Sequence, residues 1–112
     1  MRNVKNYFVY MITNWTNTVL YIGVTSDLEK KMAQQYSGAL EGFTKKYNLK
    51  NLVFYEMYDD AETAISREKQ LKRWRRKKKD FLVEKANPHW INLYEDGRLR
   101  SLDCARDDRI GS

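Results

Sequence analysis

Cysteine, proline and histidine each occur once in this 112-residue chain. A single Cys104 can form neither an internal disulfide nor a zinc cage, which excludes a disulfide-stapled scaffold and points to an intracellular, cytoplasmic protein. No apolar run approaches the ~20 residues that span a bilayer. The N-terminus lacks the long apolar region of a signal peptide, so no membrane partner is expected. The lone His89 sits between Pro88 and Trp90 and is given no catalytic role. No internal repeat is visible.

What is present describes one folded domain. Apolar residues make up 42% of the chain and charged residues 32%, a balance that supports a modest core and excludes wholesale disorder. The formal net charge is +6. Its distribution matters more than its sum. Eight of the eleven residues from Lys69 to Lys79 are basic, with Trp74 among them. Such a run is either a solvated helix end or a surface for polyanion backbone, with the aromatic available to stack on an unpaired base.

Residues 7–13 and 19–24 are rich in β-branched and aromatic types and are separated by turn formers, which predicts a β-hairpin. Both faces of the first strand are apolar, so the sheet should be covered on more than one side. Ser26 and Glu29 form a capping-box signature for a helix over about 27–36, with Leu28, Lys31, Met32 and Gln35 on one face. A polar loop is expected over 39–51 and a third strand over 52–58. Asp59-Asp60 then caps a helix over about 61–75, whose apolar stripe of Ala61, Ala64, Ile65 and Leu71 also carries Glu68. A last helix over about 78–86 stops at Asn87-Pro88, because the residue before a proline avoids the helical region. His89 to Tyr94 reads as a short closing turn, and residues 95–112 as a flexible tail. The fold class is α/β: a small three-stranded, mainly antiparallel sheet flanked by helices, in the order β-β-α-β-α-α.

Several residues admit both a structural and a chemical reading. Tyr10 and Tyr21 are either plain strand residues or hydroxyls that help to deprotonate a water. Glu68 either pairs with Lys72 at i, i+4 or binds a divalent metal together with water and phosphate oxygens. Lys31 either snorkels from the stripe edge or holds a phosphate. Gln35 is either a helix-surface amide or a partner to the same ligand.

Phe8-Val-Tyr10, Tyr21-Ile-Gly23, the Ser26 to Met32 segment and Ile65-Ser-Arg-Glu68-Lys-Gln-Leu71 together resemble a GIY-YIG nuclease domain. So do Glu41-Gly-Phe-Thr-Lys-Lys-Tyr47, Lys72-Arg-Trp-Arg-Arg76 and Asn87-Pro-His-Trp90. The similarity is to the small stand-alone bacterial members and to the equivalent domain of the bacterial excision-repair endonuclease, and it spans residues 5–94. It implies DNA phosphodiester hydrolysis with one divalent ion, Mg²⁺ or Mn²⁺. By the same resemblance Tyr10 and Tyr21 line the site, Glu68 is the metal ligand, and Asn87 is a candidate for an asparagine that often lies beyond that glutamate. DNA backbone contacts are expected from Lys69, Lys72, Arg73, Trp74, Arg75 and Arg76, with specificity supplied by a protein partner or a homodimer. Two positions depart from the pattern. Lys31 stands where the family has arginine, and Gln35 where it has histidine or tyrosine. Lysine keeps the charge but loses the bidentate fork. Glutamine is no acid or base near neutral pH. The departures imply either a nuclease of reduced activity or an inactive nucleic-acid-binding module of the same fold.

Overall fold

β1 (Tyr7–Thr13) is the middle strand because both its faces are apolar. Val9, Met11, Tyr10 and Ile12 are all buried. It pairs antiparallel with β2 (Leu20–Thr25) on one side and with β3 (Asn51–Tyr58) on the other, giving the order β2-β1-β3. α1 (Leu28–Ser37), α2 (Ala61–Arg73) and α3 (Arg76–Ala86) flank this sheet, as the expected order requires. The computed structural model describes residues 6–37, 46–95 and 97–100. Most of the expected 39–51 loop, and the Glu41 to Lys45 part of its motif, therefore lie outside the described residues, as do residues 101–112 of the expected tail. Among the described residues no helix is long and apolar enough to cross a membrane.

The helix termini refine the sequence reading. The α1 cap is Asp27 rather than Ser26. Its carboxylate accepts from the Lys30 amide at 3.1 Å, while the Thr25 hydroxyl accepts from the Asp27 amide at 3.1 Å. A short carboxylate satisfies an orphan amide directly, and Thr25 fixes the entry, so the reciprocal Ser26–Glu29 arrangement is not used. Asp60 caps α2 as expected, accepting from the Thr63 amide at 2.8 Å. α2 stops at Arg73, and α3 begins at Arg76 rather than Lys78. Trp74 and Arg75 between them are extended, with ψ of 153° and 158°. The basic run is thus broken across two helices.

β3 holds the rest of the chain through an irregularity. Met11 faces Phe54 but Ile12 faces Leu52, so Val53 is an extra residue in the ladder. Its carbonyl is taken by the buried Asn87 side chain, whose Nδ2 donates to Val53 O at 3.0 Å and to Ile91 O at 2.9 Å. Asn87 Oδ1 accepts from the Ile91 amide at 3.1 Å, and its own backbone amide closes α3 on Val83 O. One residue along, Leu52 bonds the following segment through Asn92 Oδ1 at 3.0 Å and the Leu93 amide at 2.7 Å.

The segment expected to leave as a tail instead turns back. Tyr94–Glu95 (β4) pairs with Arg98–Leu99 (β5), and the Tyr55 hydroxyl donates to Arg100 O at 2.9 Å. Gly97, at φ 77°, makes this reversal inexpensive, and periodicity alone gives no hint of so short a ladder.

Asn87→Ala should lower the unfolding free energy by roughly 3 kcal/mol, since it leaves two carbonyls and an amide without their partner. Asn87→Asp should be nearly as damaging, because a carboxylate cannot donate to either carbonyl. Urea denaturation of the three proteins checks both.

Candidate functional site

The strand register brings the two tyrosines to one face. Tyr10 faces Gly23 across the β1–β2 pair, and Tyr21 faces Ile12, two residues further along β1. The rings stand 6.5 Å apart at 47°. Tyr10 lies over Gly23 so closely that a Cβ there would sit 2.5 Å from its hydroxyl oxygen and 2.6 Å from Cζ. Glycine at this position is therefore a steric requirement of the tyrosine beside it. Tyr10 is only 4% exposed, whereas Tyr21 is half-buried. Burial, followed by the Tyr21 hydroxyl and the Glu68 carboxylate, pushes the Tyr10 hydroxyl far above its ordinary pKa. It stays protonated near neutral pH.

α2 delivers the acidic and basic members. The Glu68 side chain is 13% exposed, and its Oε2 lies 2.6 Å from Lys72 Nζ one turn on. The same ammonium sits 5.8 Å from the centre of the Tyr21 ring. Tyr10, Tyr21, Glu68 and Lys72 thus form one cluster of two hydroxyls, a carboxylate and an ammonium. The expected i, i+4 pair is present, but on a carboxylate far less exposed than a surface pair would be. Among the described residues there is no group of three or more His, Cys, Asp or Glu side chains that could cage a metal. A divalent ion at this cluster would rest on Glu68 with water and phosphate oxygens, in competition with the Lys72 ammonium.

Three other expected residues stand differently. Gln35 is buried, and its Nε2 donates to Leu49 O at 2.8 Å, tying α1 to the chain ahead of β3. Its amide serves the core rather than a ligand. Asn87 is likewise consumed by backbone groups at the β3 irregularity. Lys31 is half-buried on α1, and its ammonium makes no ion pair or hydrogen bond among the described residues.

The basic run divides by role. Lys69, Arg73, Arg75 and Lys77 are exposed. Lys72 is held by Glu68. Arg76 grips Asp80 at 2.7 Å and the β1–β2 turn, donating to Thr18 O at 3.0 Å and Asn17 O at 2.5 Å. The half-buried Trp74 ring packs against the core, with Lys78 Nζ 4.2 Å and the Arg67 guanidinium 5.4 Å from its centre. Lys79 belongs to the run, but sequence alone assigns it no role. Partial burial and then the charges of Arg76 and Lys72 hold its pKa below the ordinary lysine value, which makes it part of a cationic cluster beside Glu68.

Sequence reasoning also misses Arg67. Its guanidinium donates to both Glu56 oxygens at 2.9 Å, and the Tyr58 hydroxyl donates to Glu56 Oε1 at 2.7 Å. Burial and the Glu56 contact raise the Tyr58 hydroxyl to about 12. The available signal was a glutamate inside an otherwise apolar strand, which requires a partner.

Known proteins share the sequence pattern and the fold of this chain. Residues 6–80 match the family model described as the GIY-YIG catalytic domain. A UPF0213 protein of Haloquadratum walsbyi is 30% identical over 81 residues, covering 72% of this chain and 91% of that protein. A UPF0213 protein of Bacillus pumilus is 30% identical over 79 residues, covering 70% and 80%. The solution NMR structure of a UPF0213 protein from Bacillus halodurans superposes with a TM-score of 0.51 at 25% identity, covering 78% of this chain and 92% of that one. With its antiparallel sheet, flanking helices and paired tyrosine motifs, this chain belongs to the GIY-YIG nuclease family.

Proposed function

We propose that the chain is a metal-dependent DNA endonuclease of reduced activity. The observation that carries this reading is the convergence of Tyr10, Tyr21 and Glu68 on one cluster bordered by cations. Glu68 would hold a Mg²⁺ or Mn²⁺ ion, which when bound supplies Lewis-acid polarisation of the phosphate. The protein's own groups account for the remainder. Water attacks phosphorus, and the bond from phosphorus to the leaving sugar oxygen breaks. Tyr21, the more accessible hydroxyl, takes a proton from that water as it passes its own to solvent, the leaving oxygen takes a proton from solvent, and Tyr10 remains protonated and orients by donating. Lys31 and Lys72 neutralise charge on the phosphate, and the exposed Lys69, Arg73 and Arg75 hold the flanking backbone.

Reduced activity follows from Lys31, which lacks the bidentate fork that a transition-state phosphate rewards. The burial of Gln35 against Leu49 O favours a second reading, a nucleic-acid-binding module without catalysis, because that position then contributes no group to the reaction.

Supercoiled, branched and single-stranded DNA with Mg²⁺ or Mn²⁺ should be cut slowly by the natural protein and at least about 10²-fold more slowly by Glu68→Ala. Lys31→Arg should raise the rate by about tenfold or more. Binding to all three substrates with no cleavage by either the natural protein or Lys31→Arg would establish the second reading instead. Lys72→Met removes the internal counter-charge of Glu68. It should tighten Mn²⁺ binding several-fold in a paramagnetic titration, a gain that the added Glu68→Gln substitution abolishes. Because the Tyr10 pKa is raised, Tyr10 does not ionise between about pH 7 and pH 9. Tyr10→Phe should therefore lower cleavage without changing the slope of rate against pH in that interval.

A further inference from the structure

The basic run is expected to bring its own stacking aromatic, and the structure encloses that residue, Trp74, beneath Lys78 and Arg67. A different tryptophan is open. Trp15, at the tip of the β1–β2 turn, is 80% exposed.

A lone exposed aromatic is ordinary. The setting of this one is not, in two respects. First, the turn that carries it is held tightly on both sides. Asn14 Oδ1 accepts from the Thr18 and Val19 amides at 2.9 and 3.0 Å, and its Nδ2 donates to the Thr16 and Thr18 hydroxyls at 3.1 and 2.8 Å. The Thr13 hydroxyl donates to Asn17 Oδ1 at 2.7 Å, and the Asn17 amide, at φ 60°, bonds Asn14 O at 2.9 Å. The indole is presented by a backbone that has little left to lose on binding.

Second, the turn is fastened to the basic run itself. Arg76 donates to Asn17 O and Thr18 O, two and three residues from Trp15. Arg75 and Lys77, on either side of Arg76, are exposed. Arg76 and Lys72 are the cations that act on Lys79, and Lys72 contacts both Glu68 and Tyr21. Lys72 and Arg76 are each paired, with Glu68 and Asp80, and the exposed Lys69, Arg73, Arg75 and Lys77 of the same segment supply the cationic path between the candidate site and the foot of the turn.

We infer that Trp15 is a stacking platform for an unpaired nucleobase of a DNA strand whose backbone follows this cationic path. The inference rests on the nucleic-acid reading of the site and adds a structural preference to it. A base can stack on an indole only if it is released from its own neighbours, so the favoured ligand is single-stranded or frayed DNA rather than a closed duplex.

The test is fluorescence anisotropy in EDTA, so that no strand is cut. The probes are a labelled single-stranded oligonucleotide, a duplex with a single-stranded flap and a blunt duplex, each over a salt series. Trp15→Ala should weaken binding of the first two on the order of tenfold. It should leave the blunt duplex within about twofold and the salt slope unaltered, since no phosphate contact is removed. Trp15→Tyr should restore most of the loss. Arg73→Ala and Arg75→Ala should weaken all three ligands and flatten the salt slope. Unchanged single-strand binding by Trp15→Ala, or an equal loss on the blunt duplex, overturns the stacking role while leaving the nuclease reading intact. Absence of salt-dependent DNA binding by the natural protein overturns both.

Discussion

The site depends on how α2 is rotated against the sheet, and that rotation is set by the fork between Arg67 and Glu56. Two parallel N–H···O contacts of 2.9 Å at about one-fifth exposure fix both distance and angle, as a single ammonium contact would not. Successive helical side chains point about 100° apart. Once Arg67 is committed to β3, Glu68, the next residue, is turned toward the tyrosines of β1 and β2. A helix packed only by Ala64 and Leu71 would have more rotational latitude, because apolar contacts are not directional. The charged pair therefore gives orientation more than stability, and the carboxylate proposed to do chemistry is positioned by its immediate neighbour.

The electrostatics of the cluster follow from shielding. Glu68 is largely withdrawn from water, so it needs a nearby positive charge, and Lys72 supplies one. A divalent ion or an incoming phosphate would each redistribute that arrangement, the first by competing for the carboxylate and the second by attracting the ammonium. The two extended residues between α2 and α3 have a related effect. They change the direction of the chain, so that Arg76, at the start of a second helix, reaches the β1–β2 turn.

Much of the fold was legible. The strands announced themselves by β-branched and aromatic runs, and Asp60 by its place before an apolar stripe. The tyrosines and Glu68 stood out by motif spacing and by a carboxylate in an apolar position, and the structure brings them together. What escaped was whatever depends on long-range bonding. Gln35 and Asn87 look like ligand-binding amides until their distant carbonyl partners, Leu49 and Val53, are known. Trp74 and Trp15 differ in availability because Trp74 packs against the core beside two cations, whereas Trp15 stands at the tip of a turn. The Val53 register shift leaves no trace in the local pattern, since the residues around it are apolar on both faces. The β4–β5 ladder is equally silent, because a two-residue strand has no period to detect.

The bonds that Asn87 makes across β3 also bear on the time course of folding. The β1–β2 hairpin closes over a short turn, whereas the contact between Asn87 and Val53 spans 34 residues and requires the β3 edge to exist first. The Val53 carbonyl is presented by the register shift in the β1–β3 pairing, so this contact follows assembly of the sheet. Interactions formed after the rate-limiting barrier govern how fast a protein comes apart rather than how fast it forms. The stretch from Asn87 to Arg100 thus acts as a clasp on the finished sheet. Weakening it would steepen escape from the native state, visible in the unfolding limb of a chevron, while the refolding limb keeps its height.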